Sequence, residues 1–332
     1  MRNSAVCVGV ALALAGCGGG GGGSPDPVVA GPVQVNAANY PLVAQESAST
    51  ALAVTDSSLA LNVLTGAQVS REHLALDFAR AQIPRLTAWF ASAQRLVTGA
   101  TTTTTVACET GTMDVTINDV NNNQQPDAGD TFSLVAHNCG YTGASLNGSL
   151  AFTLNSVTGD PNTEVFSLAM AMTLTNLTVT DATGSVTSNA SLTASIASTG
   201  FNSSNFAINS SSYTMAGTRA NVSYTRTLSN FSAAQTITPL AFGGYRSAVT
   251  ANGTISSSGL DGKSVVFATL APFISTSGQP LPTSGQATAT GAGGSKIRLT
   301  AGQADNKVLI ELDADGNGSY EASQLRSWAE LL

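Results

Sequence analysis

The sequence predicts an α+β protein, mainly β: an N-terminal helical hairpin followed by a large antiparallel sheet, curled or folded as a sandwich. Three observations predict it. Between residues 42 and 98 apolar side chains recur at spacings of three and four, the period of a helix face. From residue 105 onward the period becomes two, the alternation of half-buried antiparallel strands. Charged residues make up 10% of the chain and apolar ones 42%, so there is enough hydrophobic material to bury and too little charge to keep the body disordered.

Taken in order, residues 1–16 read as a secretory leader. Arg2 supplies the positive start, Val6 to Leu14 the apolar stretch, and small residues the cut. About 12 apolar residues are too few to span a bilayer, which takes roughly 20. The run Leu14-Ala15-Gly16-Cys17 resembles the lipobox of bacterial lipoproteins. That resemblance implies cleavage before Cys17 and several acyl chains on it. Each buried methylene contributes about 0.8 kcal/mol, so more than one chain gives persistent anchoring. Gly18, where an Asp would retain such a lipoprotein in the inner membrane, implies the outer membrane. Residues 17–41, rich in Gly, Pro, Ser and Ala, read as a flexible tether.

Residues 42–98 read as two helices, about 42–64 and 70–97. Gly66 separates them, Ser70 and Glu72 start the second, and Pro84 kinks it. Leu76, Ala79, Ile83, Leu86 and Phe90 share one face, and Ala79 leaves room there for a partner helix.

The β domain is expected over residues 105–332, behind a β-prone linker, Thr101 to Thr105. Met113, Val115 and Ile117 alternate with polar residues. So do Phe166, Leu168, Met170, Met172 and Leu174, and later Val308, Ile310 and Leu312. Asn147-Gly148, Asn252-Gly253, Asp261-Gly262 and Gly293-Gly294 read as turns between about ten strands. Tyr320 to Leu332 reads as a short helix with Leu325, Trp328 and Leu331 on one side.

Removing the leader and lipidating Cys17 leaves Cys108 and Cys139 in an oxidising compartment, where a disulfide is the expected outcome. Two buried thiols, or a thiol pair on a metal, are the alternatives. A hairpin whose arms flank residues 119–130 pairs positions summing to 249. The two cysteines sum to 247, so a bulge would bring them together at its base.

Two acidic loops are candidate calcium sites. Residues 119–130 resemble an EF-hand or dockerin loop, with Asp119, Asn121, Asn123, Asp127 and Asp130 at positions 1, 3, 5, 9 and 12. Gln124 stands where a sharp-turn Gly is expected, and Asp130 is shorter than the usual Glu. In the second, Asp313, Asp315, Asn317 and Glu321 hold positions 1, 3, 5 and 9, with Gly318 correctly placed and Gln324 at position 12. Ordinary solvated turns built on Asx hydrogen bonds would show the same dipeptides.

The composition argues against other classes. A net charge of −7 with three lysines offers no basic stripe for nucleic acid. His73 and His137 are too few and too far apart for zinc. No Ser sits in a G-x-S-x-G elbow, so a hydrolase would have to rest on His137 alone. The Asp/Asn turn near the C-terminus, with Tyr320 and Trp328, resembles uncharacterised lipoproteins of Gram-negative bacteria, a resemblance that carries no activity. The expected function is therefore a non-enzymatic structural or binding role at the outer membrane, with an envelope protein as a candidate partner. The alternative is a carrier of an apolar ligand, lipid or acyl chain, in a sheet cavity lined by Met170 and Met172.

Overall fold

The computed structural model describes residues 30–52 and 101–332, apart from 142, 161, 162, 183, 220, 221, 304 and 305. The leader, Cys17, His73 and the expected second helix lie outside the described residues.

Fourteen strands form one antiparallel sheet in the order of the sequence. They are β1 (Thr101–Ala107), β2 (Thr110–Asn118), β3 (Thr131–Tyr141), β4 (Ala144–Gly159), β5 (Val165–Asp181), β6 (Gly184–Gly200) and β7 (Ser203–Arg219), followed by β8 (Val222–Pro239), β9 (Tyr245–Ser257), β10 (Ser264–Thr276), β11 (Gln279–Thr290), β12 (Lys296–Gln303), β13 (Lys307–Asp313) and β14 (Ala322–Ser327). Among the described residues, two α-helical elements accompany them: α1 (Tyr40–Ala51) and one closing turn, α2 (Trp328–Leu331).

The alternation read from the sequence sets the faces. Met170 and Met172 are buried, and their partners are Leu154 and Ala194, and Phe152 and Leu192. Val308, Ile310 and Leu312 are buried opposite Ala301, Leu299 and Ile297. Thr101 to Thr105, expected as a linker, pairs with β2 as the first edge strand. β-branched threonines suit a pleated surface, and β2 supplies the ladder.

Helix α1 packs against β8 to β13. Its carboxylate Glu46 crosses to the sheet. It accepts from Arg226 Nε (2.8 Å) and from Ser257 Oγ (2.6 Å), all three residues being buried. The chain just before it is no tether. Val33 and Val35 are buried, and Pro32 bridges to Ser264, so seated structure begins well inside the expected flexible stretch.

Several expected turns have other roles. Asp261-Gly262 and Gly293-Gly294 do lie in connections, Asp261 with φ 57°. Asn147-Gly148 and Asn252-Gly253 instead lie inside β4 and β9, where the ladder shifts register. A β-bulge inserts one residue and bends the strand. Asn138, Asn176 and Asn230 take left-handed φ at matching interruptions of β3, β5 and β8. Gly148 faces one of them: a Cβ there would lie 2.1 Å from Asn176 O. Long strands β4, β5 and β8, of 16 to 18 residues, thereby carry Asn or Gly at interior irregularities rather than being ended by them.

The expected C-terminal helix is replaced by β14 and the turn α2. Leu325 sits on the strand, partly exposed, while Trp328 and Leu331 are buried. The edge of β13 offers backbone partners for Ala322 to Ser327 that outweigh a weak helical pattern. Trp328 then meets Phe273 edge-on at 5.8 Å and donates from Nε1 to Pro282 O (3.1 Å).

Candidate metal centre

Because every connection joins neighbouring antiparallel strands, successive loops alternate between the two ends of the sheet. The loop after β2 and the loop after β13 therefore lie at opposite ends.

Both acidic loops are built alike. In the first, Gln124 N donates to Asp119 Oδ2 (2.7 Å), Asn123 N to Asn121 Oδ1 (3.1 Å) and Gln125 N to Asn123 Oδ1 (2.7 Å). In the second, Gly318 N donates to Asp313 Oδ2 (2.9 Å), Asn317 N to Asp315 Oδ1 (3.1 Å) and Ser319 N to Asn317 Oδ1 (2.7 Å). Residues four and six of each loop take positive φ: Asn122 and Gln124 in one, Gly316 and Gly318 in the other. Gln124 thus adopts the conformation that its side chain disfavours, and the sequence departure at position 6 leaves the backbone scheme intact.

Their side chains differ. In the first loop Asp130 is buried, and both its oxygens accept backbone N–H groups, Oδ1 from Val120 and Oδ2 from Asp127. Burial, with repulsion from Asp119 and Asp127, raises its carboxyl above the ordinary range despite those bonds. Asp127 Oδ2 accepts from the amides of Asn121 and Asn123. The second loop has one bond of the same kind, from Asn317 Nδ2 to Asp315 Oδ2 (2.8 Å).

The second loop holds its charge together. Asp313, Asp315 and Glu321 each present a carboxylate oxygen within 4.8 Å of the others. Asp313 is fully buried, and its Oδ1 has no hydrogen-bond partner among the described residues. Leaving a buried charged oxygen unpaired costs about 1–3 kcal/mol or more. Its other oxygen meets Lys296 Nζ at 3.1 Å. Burial opposes ionisation of Asp313, but Lys296 and the N–H groups of Gly318 and Gly316 outweigh it and hold the carboxyl below the usual range. Glu321 Oε2 accepts from Ala314 N (3.0 Å). Tyr320 lies against Arg298, its ring centre 4.0 Å from the guanidinium, which Glu311 clamps bidentately. These hard oxygens suit a hard divalent cation better than a softer metal, which would take nitrogen or sulfur. Sequence spacing found Asp313, Asp315 and Glu321. It could not find Lys296, which lies on the neighbouring strand.

Cys108 and Cys139 are joined, with Cα atoms 5.3 Å apart. β2 and β3 pair Asn118 with Thr131 through Thr112 with His137, all summing to 249. The shift between Thr110 and Thr112, beside Asn138, moves the sum to 250, away from the cysteines' 247, so the expected bulge is not what joins them. Cys108 lies in the turn between β1 and β2, where Glu109 N donates to Gly140 O (3.0 Å) beside Cys139. His137 Nε2 lies 3.1 Å from Asp114 Oδ2, and Thr105 Oγ1 donates to Asp114 Oδ1 (2.6 Å). The three side chains are partly or well exposed on the β1–β3 edge. An open hollow of about 490 Å³ over β5 to β8 is lined by Ser191, Thr193, Asn209, Ser211, Asn230 and Ser232, with Leu192 and Phe231 at its floor.

No protein-family model, curated protein or solved structure matches the chain.

Proposed function

We propose that this protein is a lipid-anchored outer-membrane protein with a non-enzymatic structural or binding role, its β domain stabilised by calcium at residues 313–321. The observation that carries the metal reading is the buried Asp313, whose Oδ1 lacks a partner beside two more carboxylates. Three carboxylates and one ammonium leave two negative charges, the charge that one divalent ion cancels. The membrane reading rests on the lipobox resemblance at Leu14–Cys17.

The alternative, a carrier of an apolar ligand, needs apolar walls around a void. Met170 and Met172 are buried against cross-strand neighbours rather than facing a void, which supports the structural role better.

A ligand that binds only the folded state raises its stability, by about 2.7 kcal/mol at a hundred times its dissociation constant. Calcium at that level should raise the melting temperature above that in chelator, and Asp315→Asn should abolish the rise. Equal melting curves in calcium and chelator would remove the metal reading. Intact mass of protein from a Gram-negative host tests the anchor. The expected species starts at Cys17 and carries acyl groups, and an unmodified Cys17 would refute it.

A further inference from the structure

The segment that leads back toward Cys17 is bound to the same end of the sheet as the second acidic loop. Val33 N donates to Ser264 O (2.9 Å), Ala292 N donates to Val33 O (2.7 Å), and Val35 N donates to Ser295 Oγ (3.0 Å). Val33 and Val35 are buried. Between them Gln34 reaches the loop itself: its Nε2 donates to Ala314 O at 3.1 Å. The loop also leans on the 292–294 turn that holds Val33. A Cβ at Gly316 would lie 2.9 Å from Gly294 C and 3.0 Å from Gly293 O, so the two backbones are in close contact. Residues 33–35, the turn at 292–294 and the loop at 313–318 form one continuous set of contacts.

We propose that a divalent cation held by Asp313, Asp315 and Glu321 latches Val33–Val35 onto the sheet, so that the ion sets how firmly the root of the N-terminal segment is held. This rests on the calcium reading above. Without the ion, the carboxylates of Asp315 and Glu321 repel each other across less than 4.8 Å, with the Asp313 carboxylate beside them. With it, the carboxylates are drawn to one centre and the backbone from Ala314 to Gly318 is fixed. That backbone carries both contacts to the N-terminal side: the carbonyl that Gln34 uses, and Gly316 against Gly294. A ligand shifts such an equilibrium only by its differential affinity for the two states, and the coupling is reciprocal. The seated segment therefore tightens ion binding by the factor by which the ion tightens the seat.

The test uses the intact protein in detergent, with calcium chloride or chelator, and reads hydrogen exchange at the Val33 and Val35 amides. Saturating calcium should slow exchange at both by about tenfold, within the usual range of such coupling. Gln34→Ala should keep the rise in melting temperature, lose most of the added protection, and weaken calcium binding measured by calorimetry by the same factor. Asp315→Asn should remove every effect. Calorimetric binding with unchanged exchange at Val33 and Val35 overturns the latch and leaves the metal site standing. No heat of binding and no thermal shift overturn both.

Discussion

At the scale of single residues, the backbone decides more than side-chain type. Gln124 and Gly318 hold equivalent places in the two acidic loops, and both take positive φ. One is a residue the motif forbids and the other the residue it requires. Gly148 has less freedom. Its φ is 95°, and any Cβ would strike the Asn176 carbonyl. Gly148→Ala should therefore destabilise the protein by more than about 1 kcal/mol in urea unfolding, because positive φ strain adds to the clash. Asp114 is a test of a surface pair. Its hydrogen bond from Thr105, and then its contact with His137, lower its carboxyl below the ordinary value. A lowered folded-state value contributes stability that is present above the unfolded-state value and lost as pH falls through the folded one. NMR titration should find Asp114 titrating below the ordinary aspartate range, and Thr105→Val should move it upward. The stability involved is small, since the pair is exposed.

At the scale of elements, helix α1 is joined to the sheet by one buried ion pair. Arg226 and Glu46 are 8% and 10% exposed, with Ser257 as third member. Removing one partner strands the other charge in the interior, at a cost of about 3–5 kcal/mol, whereas replacing both with apolar residues is often close to neutral. Arg226→Met should lower the melting temperature sharply, and adding Glu46→Leu should restore most of it. An equal loss in the double variant would assign the stability to the pair itself. The hairpin β2–β3 shows what periodicity does reach. The pairing sum of 249 was legible from the position of the acidic loop, and the register holds up to the bulge at Asn138. The Asn-Gly dipeptides in β4 and β9 were legible only as backbone irregularities. Whether positive φ turns a chain back or merely bends it depends on what the neighbouring strand does, and that neighbour is set by the sheet.

At the scale of the whole molecule, each strand pairs only with its neighbours in sequence, and β1 and β14 are the two ends of the order. The Cys108–Cys139 bridge staples the β1–β3 end. Closing a loop of that separation, 31 residues, contributes about 3–4 kcal/mol against the unfolded chain in the entropy model. Its removal in Cys108→Ala/Cys139→Ala should therefore loosen one end of the meander first. Hydrogen exchange should rise in β1 and β2 before β5 to β8, and uniform loss of protection would mean that the staple supports the sheet as a whole.

The sequence by itself determined the mainly β class, the faces of the strands, the cysteine pairing and the carboxylates of the second loop, because period, spacing and turn chemistry act over a few residues. Only the tertiary structure decided that residues 31–36 are seated, that Ala322 to Ser327 forms a strand, and that Lys296 faces Asp313. Each of these depends on a partner supplied by a distant stretch of chain. A local pattern can state which side chains want burial or charge, but only the completed sheet determines what they meet.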